Sequence, residues 1–287
     1  MATAVNLIRR HPLPTFFTLA FIISWSACFV VVGPDGIPVT ADQAVVAGMA
    51  MLLGPSIAGI LMTGLASGRA GYRELVCRLL RWRVGIRWYL VALLIAPLST
   101  VAVLLVLSLF SPEFLPLILT TNDMASLVLA GIVAGLMVGF FEELGWTGFA
   151  IPRMRPRYGV FRTGLIVGLL WGAWHFPLFW ESDSFSGALP LALLLARLFS
   201  WLPAYRILMV WVYDGAESLL VAILMHVSLV ATLAIYDPPL EGALLLTYIL
   251  ARAAVLWGIV GAVAATQRRA VGEGRNRPDS PELPLPG

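Results

Sequence analysis

Residues 125–150 read ASLVLAGIVAGLMVGFFEELGWTGFA. From Ala125 to Phe141 there is no charge; two adjacent glutamates follow, and then the apolar character resumes. Such a run suits a membrane-spanning helix, which takes ~20 apolar residues. It is continuous and does not alternate, so a transmembrane β-strand is excluded. Similar apolar segments lie at about 13–33, 44–66, 88–110, 162–180, 189–211, 217–236 and 242–266. The 287 residues are 60% hydrophobic and 12% charged, with a mean hydropathy of +0.89. A soluble domain runs roughly 45–50% apolar and about 25% charged. The sequence therefore predicts an all-α, polytopic transmembrane helical bundle of about eight spans over residues 1–270. Its motif core is at about 125–236, and residues 271–287, rich in proline, are expected to form a disordered cytoplasmic tail.

All 19 basic residues are arginine, and the formal charge is +3. The arginines are spread over separate loops, so no nucleic-acid surface is expected. Their distribution instead sets orientation, because cytoplasmic loops carry the excess of basic residues. Arg9 and Arg10 precede the first segment, and Arg69, Arg73, Arg78, Arg81, Arg83 and Arg87 fill the loop after the second. Arg153, Arg155, Arg157 and Arg162 follow the fourth, and Arg268, Arg269, Arg275 and Arg277 follow the last. The alternate loops hold Asp35, Asp42, Glu113, Asp123, Glu181, Asp183, Asp237 and Glu241 without an arginine. Both termini are thus expected to be cytoplasmic in a multi-pass cell-membrane protein. The loop between the sixth and seventh segments fits least well, with Arg206 set against Asp214 and Glu217. The first segment is longer than the ~7–15 apolar residues of a signal peptide and is read as a retained span. Cys28 and Cys77 form neither a disulfide framework nor a metal motif.

Ionisable groups inside spans are costly and mark functional sites. Four stand out: Glu142 and Glu143 in FFEELGWTGF, His175 in LLWGAWHFPLF and His226 in LVAILMHVSLV. Apart from His11, these are the only histidines. Hydrolysis in an apolar interior needs an activated water and a donor for the developing oxyanion. A desolvated carboxylate is a competent general base near neutral pH. The same donor set suits a divalent metal such as zinc, although no His-Glu-x-x-His string is present. Neighbouring residues on a helix point about 100° apart, so Glu142 and Glu143 are expected to divide their roles. Arg197 and Arg252 are expected to be structural, snorkelling or paired with an acid.

The order and spacing of these residues resemble the CPBP family (CAAX prenyl protease type II and Abi bacteriocin-processing proteins). That family's motifs are a Glu-Glu pair followed by three residues and an arginine, an aromatic three residues before a histidine, and a histidine three residues before an asparagine. Here they correspond to Glu142-Glu143, to Trp171 with His175, and to His226. GPSIAG, RWYLVALL and EELGWTGFAIPRM also resemble bacterial members, so the likeness runs from about Gly54 to Thr232. Two positions depart from the pattern: Thr147 stands in place of the motif arginine and Val230 in place of the asparagine. The resemblance implies an intramembrane endopeptidase acting on a membrane-associated or prenylated-like peptide. Glu142 and His175 would activate water, His226 would support the oxyanion and Glu143 would assist. It leaves both a metal-dependent and a glutamate-type mechanism open.

The alternative is a non-proteolytic member, an immunity or scaffold protein with a reduced site. A rhomboid-like pairing of Ser56 with His226 would leave the glutamates unexplained. Depth poses a further condition. Counting ~1.5 Å per residue from Arg162 lifts His175 about 20 Å, while the glutamates stay near the cytoplasmic end. They meet only if the fourth span runs longer, or if the fifth begins earlier and tilts.

Overall fold

Glycine at every fourth position leaves one face of a helix without side chains, and a second helix can then approach to backbone contact. Two such stripes organise this bundle. The computed structural model describes residues 10–33 and 41–275. The principal helices are α1 (Pro12–Val32), α2 (Ala41–Leu79), α3 (Ile86–Ser108), α4 (Met124–Gly145) and α5 (Val160–Trp174). They are followed by α6 (Ala188–Phe199), α7 (Leu202–Ala216), α8 (Leu219–Tyr236) and α9 (Gly242–Arg275). The fold is an all-α polytopic bundle. Among the described residues seven helical stretches are long and apolar enough to cross a membrane, with Val160–Trp174 a shorter apolar helix beside them. The expected sixth segment is α6 and α7 together, a stretch of 29 residues bent at Ser200 and Trp201.

On α4, Gly131, Gly135 and Gly139 face α8; a Cβ on Gly135 would stand 2.6 Å from the Val227 carbonyl oxygen. On α5, Gly164, Gly168 and Gly172 face α7 and the end of α6; a Cβ on Gly168 would stand 2.6 Å from the Pro203 Cα. Without a hydrophobic drive between helices in lipid, this close packing is what holds them. The α2 helix closes onto α4 through Ser56, whose hydroxyl donates to the Leu52 and Phe141 carbonyls at 2.7 and 2.8 Å. That hydroxyl is therefore committed to backbone and does not face His226. The α1 helix packs within the bundle: Phe16 contacts Trp146 and Phe149, and the Trp25 indole donates to the Trp174 carbonyl at 3.0 Å.

The fourth span does not stop at the glutamates. It continues through a π-helical turn, Trp146–Ala150, into Ile151–Met154, so the apolar stretch runs for 31 residues. Glu142 then lies roughly 18 Å from Met154, and Trp171 about 17 Å from Val160, at ~1.5 Å per residue. The longer span meets the depth condition.

The arginine-rich end is tied by ion pairs. Arg155 reaches Asp214 at 2.6 Å and Arg81 reaches Glu217 at 2.7 Å. Glu217 caps α7 in the left-handed region (φ 48°). Arg206 is not a loop residue, contrary to its expected place between the sixth and seventh segments. The α7 helix runs on to Ala216 and carries Arg206 fully buried within it. Arg197 and Arg252 are paired as expected, with Glu181 at 2.7 Å and Asp237 at 3.1 Å. Asp237, just beyond α8, has its carboxyl raised above its ordinary value by burial, against the pull of Arg252. The α9 helix is continuous to Arg275. Arg9, Asp35, Arg277 and the tail from 276 lie outside the described residues.

Candidate active site

Glu142 and Glu143 occupy consecutive positions at the end of α4, and both are buried. The π turn that follows is a wide turn of the kind often found at functional sites. Glu142 Oε2 accepts two indole N–H groups, Trp146 at 3.2 Å and Trp171 at 2.7 Å. Its Oε1 has no hydrogen-bond partner among the described residues. Glu143 is more heavily engaged. Arg206 Nη1 donates to both its oxygens, at 2.8 and 3.0 Å, and the Thr147 hydroxyl donates to Oε2. His226 Nδ1 lies 2.7 Å from Oε1. Glu143 thus holds Arg206, Thr147 and His226, whereas Glu142 is held through one oxygen by two indoles.

His175 ends α5, where Pro177 stops the helix from continuing. Its Nδ1 lies 2.7 Å from the Trp171 carbonyl, which can only accept, so Nδ1 carries the proton and Nε2 presents a lone pair. His226 is set in the middle of α8. With Arg206 and Thr147 both donating to Glu143, that carboxylate is ionised and His226 Nδ1 donates to it. His226 Nε2 is then a donor only when the ring takes a second proton.

Trp171 joins these groups. Its ring lies edge-on to His175 (centroids 5.2 Å) and His226 (5.4 Å), and the Arg206 guanidinium sits 4.1 Å from its centroid. All four sequence-selected residues thus come to one cluster. Arg206 and Trp146 were missed: an arginine near an apolar segment's end looks like a loop charge, and a tryptophan after a helix looks like an interface anchor. Arg153, which follows the glutamates in sequence, points away from them, donating to the Phe149 carbonyl at 3.1 Å and to Ser67 at 2.9 Å. Val230 lies one turn beyond His226 and is half-buried.

Residues 124–232, which span this whole cluster, match the family described as type II CAAX prenyl endopeptidase Rce1-like. Through this segment the chain is similar to the CPBP family. It is also similar to CAAX prenyl protease 2 of Methanococcus maripaludis, at 40% identity over 50 residues. That match takes in 17% of this chain and 18% of the relative. Against the family's pattern the position of Thr147 becomes intelligible. The threonine reaches Glu143 with a neutral hydroxyl, and Arg206 brings the charge from α7.

Glu142 Oε1, His175 Nε2 and His226 Nε2 are donors of a zinc-binding type. Among the described residues, however, no three His, Cys, Asp or Glu groups come close enough together to hold a metal. Three buried donors in this cluster, Arg206 Nε, Arg206 Nη2 and Trp174 Nε1, have no hydrogen-bond partner among the described residues. Buried polar atoms of this kind ordinarily meet water or a ligand.

Proposed function

We propose that this chain is an intramembrane endopeptidase that hydrolyses a peptide bond in a membrane-associated, prenylated-like substrate. The observation that carries the reading is Glu142. Two indoles clamp one of its oxygens and leave the other free, in the cluster where His175 and His226 each present Nε2. Water held by Glu142 Oε1 and His175 Nε2 loses a proton to Glu142 and attacks the scissile carbonyl carbon. The carbonyl π electrons move onto oxygen, and the oxyanion meets the Nε2–H of doubly protonated His226. The C–N bond then breaks, and Glu142 returns its proton to the leaving amine. Glu143 and Arg206 position His226 and act through it. Glu142, His175 and His226 do not come close enough together among the described residues to hold zinc, and chelation of the purified protein tests whether cleavage needs a metal.

Arginine placement further supports a cytoplasmic location for both termini. A reporter fused after Arg269 should then be cytoplasmic and one inserted at Ser111 should not.

The decisive experiment is cleavage by reconstituted protein carrying Glu142→Gln, His175→Ala or both. Each single variant should be folded and inactive, and the double no worse, as expected of residues acting as a unit. Substantial cleavage by the double variant would reject the assignment. Folded wild type that cleaves no prenylated or membrane peptide would favour the immunity or scaffold reading.

A further inference from the structure

The α2 helix is broken at Gly68, whose φ of 58° and ψ of −146° are not helical. Beyond the break, residues 69–79 form a separate helical piece with distinct faces. Gly71 and Leu75 are buried, and Arg78 reaches inward to the Tyr213 hydroxyl at 2.8 Å and the Gly148 carbonyl at 2.9 Å. Tyr72 folds back across the break to donate to the Ile60 carbonyl at 3.0 Å. This piece is thus braced against the π turn that follows the glutamates.

Its other face is exposed. Tyr72, Val76 and Leu80 form an exposed stripe at helical spacing, and Trp82 and Ile86 extend it at 61% and 71% exposure. Arg69 and Arg73 border the stripe, both exposed, and neither has an ion pair or hydrogen bond among the described residues. Between residues 69 and 87 there are six arginines and one acid, Glu74, which is 3.5 Å from Arg78. The segment emerges from an apolar span, which puts it at headgroup level. Apolar side chains bordered by arginines are what a surface helix presents to an anionic leaflet. An acidic soluble partner would account for the arginines but not for the exposed Leu80, Trp82 and Ile86.

We propose that residues 69–86 form an interfacial anchor, in which Arg69 and Arg73 bind the phosphate of anionic lipid headgroups. An environment-sensitive fluorophore on Leu80→Cys, in a Cys77→Ser background, reports contact at the stripe; Cys28 is buried and escapes labelling. Full-length protein in mixed micelles is titrated with phosphatidylglycerol, phosphatidylcholine or glycerol phosphate. Phosphatidylglycerol should move the emission to the blue, and high salt should suppress the change. Adding Arg69→Gln and Arg73→Gln should weaken the half-saturation point about thirty-fold, from roughly 1 kcal/mol per arginine. Arg69→Lys with Arg73→Lys should keep the response, with thermal unfolding unchanged. Equal responses to the two lipids, or a response unaltered in the glutamine variants, overturns the proposal. If glycerol phosphate alone reproduces the shift, the lipid assignment falls. Should the glutamine variants not fold, a salt-insensitive wild-type response overturns it equally.

Discussion

Arg206 lies 2.8 Å from Glu143, and both side chains are fully buried. An uncompensated charge at such depth is expensive, and removing one partner of a buried pair costs about 3–5 kcal/mol. Arg206→Met should therefore lower thermal stability by that order. The geometry also predicts a rescue: Thr147→Arg in the Arg206→Met background supplies the cation from α4 itself. Unfolding in detergent checks both, and a double variant no more stable than Arg206→Met would refute the exchange of positions.

Val230 sits one turn beyond His226, on the side where a second oxyanion donor would be placed. Losing such a donor typically costs ~10²–10³ in turnover. Val230→Asn should raise single-turnover cleavage, by about 10³-fold at most, at matched amounts of folded protein. A folded but slower variant would remove position 230 from the oxyanion site.

Contact between α4 and α8 depends on the absence of side chains at Gly131, Gly135 and Gly139. Gly135→Val must push the Val227 backbone away and should destabilise by about 1–3 kcal/mol as an overpacked core does. Because α4 and α8 carry Glu143 and His226, cleavage should fall further than stability alone explains. Gly258→Val, where a Cβ meets nothing within 4 Å, is the control and should change neither.

Asp123 caps α4 by accepting the Ser126 backbone N–H at 3.0 Å, and that bond holds its carboxyl below the ordinary value. A carboxyl with a lowered folded pKa stabilises above the unfolded pKa, and that contribution is lost as pH falls through the folded one. Asp123→Ala should thus unfold earlier than wild type at neutral pH and match it in strong acid. A gap that persists in acid would assign the loss to something other than the cap.

The class of fold and four of the site residues were legible because charge inside an apolar run is rare and conspicuous. Glu142, Glu143, His175 and His226 needed only that contrast. Arg206 is equally charged, yet it follows Pro203 near the end of a segment, and linear hydropathy does not tell a buried guanidinium from a loop arginine. The glycine stripes at 131, 135, 139 and at 164, 168, 172 were open to view as a four-residue repeat. Hydropathy treats glycine as nearly neutral, which hides them. The continuation of the fourth span to Met154 was not legible, because a π turn has no compositional mark and the glutamates look like a helix end.

That wide turn has a consequence for change in length. Between Glu143 and Arg153 the chain makes one turn with a residue more than an α turn needs. Deleting Gly148 alone would tighten it to an α turn, and everything from Ile151 onward would keep its bearing around the helix axis, because such a turn takes up one extra residue within about the same winding. The same deletion at Gly139, in the regular helix before the glutamates, would instead swing everything before it about 100° against them. The wide turn is thus where this rod can lose a residue without losing its phase.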